Sequence, residues 1–148
     1  MGMTMETDYV KFFQSFIASM VQIGGINLPK SVSTMLGRNL GEVYKKRGIT
    51  DQKVALESMF KAMGGKAVSF VDTQTGFKVT TEFPTEFCPI GGSVKPKRHN
   101  MFFEGICNPY ASGFLSSFNP KEKVSLSFQK CVLKDADSKC IIDAKFTK

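Results

Sequence analysis

The 148-residue chain has no tryptophan, a single histidine, and no cysteine before Cys88. With one imidazole, any Ser-His-Asp or Cys-His arrangement would have to use His99. Its neighbours Lys97, Arg98 and Asn100 read as a solvated loop. A Walker-type loop and a G-x-G-x-x-G are both lacking. No C-x-x-C pair occurs, so the strong zinc-ribbon pattern is absent. No apolar run approaches the roughly 20 residues needed to span a bilayer. Glu6, Asp8 and Lys11 interrupt the stretch where the apolar region of a secretory signal would lie. The Met-Gly start fails as a myristoylation motif because its sixth residue is Glu6. These absences lead us to expect a cytoplasmic protein without a transmembrane segment, whose cysteines are free or metal-bound rather than paired.

What is present is a composition 42% hydrophobic and 22% charged, that of a globular chain rather than a disordered one. The formal charge of +7 raises the question of nucleic acid. Lys45, Lys46 and Arg47 close a predicted helix, where cations complement its carbonyl end. Lys95, Lys97, Arg98 and His99 form the other dense group. No basic stripe interleaved with aromatics accompanies them, so solvated surface charge is expected and no nucleic-acid partner.

Asp8 to Ile23 carries Tyr9, Phe12, Phe13, Phe16, Ile17, Met20 and Val21 in the i, i+3, i+4 rhythm of an amphipathic helix, stopped by Gly24-Gly25. Its apolar face is wide; core packing is the first reading and a homodimer contact the second. A second helix follows Pro29 and ends at Gly48, with Gly37 and Gly41 four residues apart on it. Each glycine costs about 1 kcal/mol relative to alanine in a helix interior. Close approach of another backbone or of a ligand must offset that, and tight packing is favoured. A third helix starts at Thr50 or Asp51 and runs to Gly64-Gly65.

The period then changes. Val68–Val71 and Phe77–Phe83 read as two strands around the Asp72–Gly76 turn. Pro84 to Asn100 reads as loop, and a short helix spans about Asn108 to Phe118. Val124–Phe128 and Cys140–Phe146 alternate as a second hairpin around a polar Lys134–Lys139 turn. The expected architecture is α+β, with N-terminal helices packed on an antiparallel sheet built from two hairpins with an intervening helix. It forms one domain over residues 1–148, helical over 6–65, with sheet and metal site over 66–148.

Among polar side chains, Glu82, Glu86 and Glu104 are isolated acids. The four cysteines are more telling. Cys88 opens a Cys-Pro-Ile-Gly-Gly turn, Cys107 sits at the start of a short helix, and Cys131 and Cys140 flank the last turn. Antiparallel pairing would bring the last two together. Such a set is a credible tetrahedral zinc site, and four buried free thiols are the alternative.

The stretch Ile106-Cys107-Asn108-Pro109-Tyr110-Ala111-Ser112-Gly113-Phe114-Leu115, followed by the Val124–Phe128 strand, Cys131, a polar turn and Cys140, resembles the 4-vinyl reductase, or hydrocarbon-binding-protein, family. Leu28-Pro29 and the Gly37/Gly41 helix are similar to that family's second helix. The resemblance covers roughly residues 25 to 147. It implies a compact, often dimeric α+β domain with an apolar pocket between helices and sheet. Small subunits of the TRAPP vesicle-tethering complex share that fold and assemble through their helices. In aromatic-sensing bacterial regulators, the domain holds a phenol-like effector above a structural zinc. Three of that zinc's ligands correspond to Cys107, Cys131 and Cys140. The position of the fourth, an acid, is Phe128, so Cys88 would have to replace it.

The resulting expectation is a non-enzymatic domain binding a small hydrophobic molecule, with zinc on Cys88, Cys107, Cys131 and Cys140. Met35, Tyr44, Phe60, Phe103 and Tyr110 would line its pocket, drawn from the 14 Phe, 8 Met and 3 Tyr. A homodimeric scaffold in the manner of the TRAPP subunits, joined through Tyr9–Val21, is the alternative. An enzyme ranks third, since no acid, base and nucleophile can be assembled. Acylation of a cysteine in the N-terminal half, as in TRAPP-type subunits, is excluded because that half has none.

Overall fold

The apolar rhythm of the first segment produces α1, Thr4–Gly24, and the next produces α2, Asn27–Lys46, in a computed structural model that describes residues 4–84, 87–93, 96–135 and 137–148. The Met-Gly start, Glu86 and Lys95 lie outside the described residues. Gly25, at φ 74°, supplies the left-handed turn between the two helices. The second helix therefore starts ahead of Pro29, which is buried in its first turn, where a missing N–H costs no helical hydrogen bond. Asp51 caps α3, Gln52–Ala62, its carboxylate accepting from the Val54 N–H at 3.0 Å.

Four strands among the described residues follow the alternation of the sequence. Ala67–Asp72 (β1) and Gly76–Glu82 (β2) form one hairpin. Lys123–Lys130 (β5) and Lys139–Thr147 (β6) form the other. Antiparallel pairing of β2 with β6 joins them into a four-stranded sheet of order β1-β2-β6-β5. Phe77, Val79 and Thr81 of β2 and Cys140, Ile142 and Ala144 of β6 point inward and are buried. Leu56, Met59 and Phe60 of α3, with Phe114 and Leu115 of α5 (Asn108–Phe118), cover that face. The α+β architecture with two hairpins is as the sequence indicates.

The segment expected to be loop from Pro84 to Asn100 is not one. Phe87–Cys88 (β3) and Gly92–Ser93 (β4) pair as a small hairpin around Pro89-Ile90-Gly91, and Pro96–Phe102 is a helix, α4. A π-helical turn, Phe103–Cys107, carries α4 into α5. Proline and glycine correctly mark the tight turn, but burial of Phe102 and His99 fixes the helix beyond it. The polar turn after β5 likewise contains a one-turn helix, α6, Val132–Asp135, whose inner side buries Val132 and Leu133.

The glycines of α2 have a specific partner. A Cβ on Gly37 would sit 2.0 Å from the Tyr110 carbonyl oxygen, and one on Gly41 would sit 1.8 Å from Ser117 Oγ and 3.0 Å from the Phe114 carbonyl. Gly113 returns the arrangement, its Cβ position lying 2.3 Å from the Thr34 carbonyl. Backbone packing of α2 on α5, rather than a ligand, offsets the helix cost of these residues.

Candidate functional site

A second apolar cluster, apart from the sheet core, gathers Ile17, Phe83, Phe102, Ile106, Val132 and Leu133 around Cys88, Cys131 and Cys140. All four cysteines are free thiols, three buried and Cys107 partly so. The β5–β6 ladder explains the closest pair. Phe128 opposes Ile142, but Lys130 opposes Ile141, so Gln129 is an extra residue in β5. Without that bulge Lys130 would face Cys140; with it the ladder ends at Lys130 and Ile141, so Cys131 and Cys140 are the next residues of the two segments. The Cys131 N–H donates to Asp135 Oδ2 at 2.8 Å, closing the turn of α6. Cys88 Sγ accepts from the Gly91 N–H at 3.4 Å.

The thiols are electrostatically unequal. The Cys140 thiol donates to the Cys131 sulfur, which lowers Cys131 to about 6, aided by the Leu133 N–H and by His99. That same hydrogen bond, then burial, raises Cys140, which keeps the proton of the pair. Burial pushes Cys88 and Cys107 up, and neighbouring thiolates add to it. For the lowered group the thiolate stabilises the fold fully above the ordinary value near 9 and is lost as pH falls through about 6. For the three raised groups the contribution is full below about 9 and is lost at higher pH. The urea midpoint should therefore rise between pH 6 and about 9 and fall beyond, with the rise absent in Cys131→Ser. A flat profile in both proteins would contradict this pattern.

His99 is not the solvated loop residue that its sequence neighbours indicate. It is 9% exposed, its ring stacked on Phe103 at 5.9 Å and tilted on Phe128 at 5.6 Å. Its Nδ1 is buried without a hydrogen-bond partner among the described residues. Nothing in the local sequence marks this, because the burying residues come from elsewhere in the fold. Gln14 of α1 ties the region together, donating to the Gly91 carbonyl and accepting from Arg98.

An apolar cavity of about 50 Å³ adjoins the cluster, lined by Met59, Phe60, Met63, Phe83, Tyr110 and Phe128 together with Cys88, Cys107 and Cys140. Of the expected pocket residues, Phe60 and Tyr110 lie on its wall. Met35 is 54% exposed on α2, Tyr44 packs edge-on against Phe114 at 5.4 Å, and Phe103 lies under His99. Among the described residues, no three His, Cys, Asp or Glu side chains are disposed to hold a metal ion. Phe128, at the acidic-ligand position of the 4-vinyl reductase pattern, presents a ring to His99 instead.

No family model matches the chain, and no curated protein matches it. The 4-vinyl reductase resemblance thus rests on the quoted residues alone. Among solved structures, a trafficking protein particle complex subunit 3 from Naegleria fowleri, covalently bound to palmitic acid, superposes with a TM-score of 0.63 at 12% identity. The match covers 97% of this chain and 95% of that one. The chain has a TRAPP-like fold. That likeness extends over both helical and sheet parts, since so little of either chain is left out. Among the described residues no helix is long and apolar enough to cross a membrane.

Proposed function

We propose that the chain is a non-enzymatic scaffold subunit that pairs with a second copy of itself through the outer faces of α1 and α2. The carrying observation is the apolar surface left in water there. Tyr9, Phe12, Phe16 and Ile23 of α1 are 74, 68, 53 and 84% exposed. At helical spacing these four fall on one stripe. Leu28, Met35, Leu36 and Val43 of α2 are also exposed. Burying Ile17, Met20 and Phe13 already satisfies the inner side of α1, so the outer stripe stays exposed among the described residues. An isologous contact lets one such patch supply both sides of an interface. The TRAPP-like fold supports this reading, as the structural neighbour is by name a subunit of a larger particle.

Sedimentation or native mass spectrometry should find a dimer. Phe12→Asp with Phe16→Asp should weaken it by roughly thirtyfold or more, the loss of one hot spot of about 2 kcal/mol. A wild-type monomer whose state the double variant does not change would sink the proposal.

A hydrophobic ligand is the second reading, favoured by the purely apolar character of the Met59/Met63/Phe128 wall and by the acyl chain carried by the structural neighbour. At about 50 Å³ the cavity is several times smaller than the roughly 300–1,000 Å³ that small-molecule ligands occupy. Binding would require Met59 and Met63 to swing aside, which thioether side chains do readily. Native mass spectrometry of the purified chain would reveal a co-purified ligand as a mass increment; its absence, with no stabilisation by added fatty acid, would remove this reading.

A further inference from the structure

Three independent features converge on one pair of sulfurs. The Gln129 bulge ends the ladder at Lys130 and Ile141, which leaves Cys131 and Cys140 as the next residues along the two segments, their side chains hydrogen-bonded to each other. Two thiols within hydrogen-bond reach need only a small approach to come within the Cα separation of about 4.4–6.8 Å that a disulfide usually spans. His99 of α4, nine-tenths buried between Phe103 and Phe128, hydrogen-bonds Cys131, and its buried Nδ1 has no hydrogen-bond partner among the described residues. Cys140 is also a wall residue of the cavity of about 50 Å³, a space for a few heavy atoms on the Cys140 side of the pair. A buried thiol pair needs none of this to serve as packing, and a bulge that exchanges a lysine for a cysteine re-aims a functional side chain.

We infer that Cys131 and Cys140 are a redox-active dithiol, Cys131 taking an oxygen from a small hydroperoxide and Cys140 resolving it as an intrachain disulfide. In the first step the Cys131 sulfur attacks the terminal peroxide oxygen. The S–O bond forms, the O–O bond breaks, and the leaving oxygen takes a proton and departs as an alcohol, or as water from hydrogen peroxide. In the second step the Cys140 sulfur attacks the Cys131 sulfur. The S–S bond forms, the S–O bond breaks, and the departing hydroxide takes the Cys140 proton to leave as water. Two thiols and one hydroperoxide thus give one disulfide, one alcohol and one water, and a dithiol reductant reverses the change. His99 acts as a positioning and proton-holding group beside Cys131.

The test treats the purified chain with stoichiometric hydrogen peroxide, blocks remaining thiols with N-ethylmaleimide, and maps peptides without reduction. The expected product is a Cys131–Cys140 linked peptide, lighter by two hydrogens, restored by dithiothreitol and still formed in the Cys88→Ser, Cys107→Ser double variant. Cys140→Ser should instead leave a Cys131 sulfenic acid that dimedone captures. His99→Phe should slow the oxidation about tenfold, a modest share of general acid–base assistance. A bridge to Cys88 or Cys107, a bridge between chains, or four thiols that remain alkylatable after peroxide would overturn the inference. So would stoichiometric zinc in the same sample. The wild-type map alone decides the matter if a variant fails to fold, and its result is independent of the oligomeric state that tests the scaffold proposal.

Discussion

Gly37→Ala should lower stability by about 3 kcal/mol, the upper end of the penalty for inserting one group into a packed interior. In an exposed helix the same change gains about 1 kcal/mol, so the expected sign is the reverse of what propensity alone gives. The reason is the nature of the obstacle. The new Cβ would lie 2.0 Å from the Tyr110 carbonyl oxygen and 3.0 Å from the Phe114 N. Both are backbone atoms of α5, and no rotamer change can withdraw them. Relief requires α2 and α5 to move apart, which would also stretch Lys45 Nζ from the Ser117 carbonyl, now 2.6 Å away, and Ser33 Oγ from the Gly105 carbonyl, at 3.0 Å. Urea denaturation followed by circular dichroism measures the difference. Alanine at the neighbouring exposed Arg38 serves as control and should leave the midpoint unchanged. Equal midpoints for the two variants would mean that the helices do not touch at Gly37.

That helix pair shows how sequence and fold relate in this chain. Two glycines at helical spacing announce that something approaches α2 closely, but what approaches lies some seventy residues later and is fixed only by tertiary contact. The hairpins were legible because Phe77, Val79 and Thr81 alternate with Lys78 and Thr80, a local pattern that survives any packing. The helix at Pro96–Phe102 was not legible, because prolines and charges dominate its surroundings and only burial against α1 and α6 holds it. His99 was misplaced for the same reason. For the cysteines, spacing pointed to the Cys131–Cys140 encounter, while the bulge that produces it leaves no mark in a string of Gln and Lys. The exposed face of α2 was also hidden, since Leu36 and Val43 stand at helical spacing like core positions until α5 is seen to take the glycine side instead.

Phe102→Ala tests whether the thiol cluster depends on its own small core. Phe102 is fully buried, and its ring stacks on Phe13 of α1 at 6.5 Å and 26°. It shares its cluster with Cys88, Cys131, Val132 and Cys140. Truncation removes a large apolar side chain whose neighbours come from several separate elements, so the site cannot collapse by moving one of them. The expected cost is about 3–5 kcal/mol. Phe114→Ala, equally buried but in the sheet core against Tyr44 and Phe118, should cost a similar amount. The two variants should differ in chemistry. Loss of Phe102 detaches α1 from α4 and opens the wall over the sulfurs, so native-state reaction with an aromatic disulfide reagent should accelerate in Phe102→Ala beyond what its global unfolding explains. In Phe114→Ala it should rise only as far as global unfolding exposes the thiols. Equal acceleration in the two would mean that the thiols are reached only by unfolding of the whole chain, and that the second cluster is not a separable unit around them.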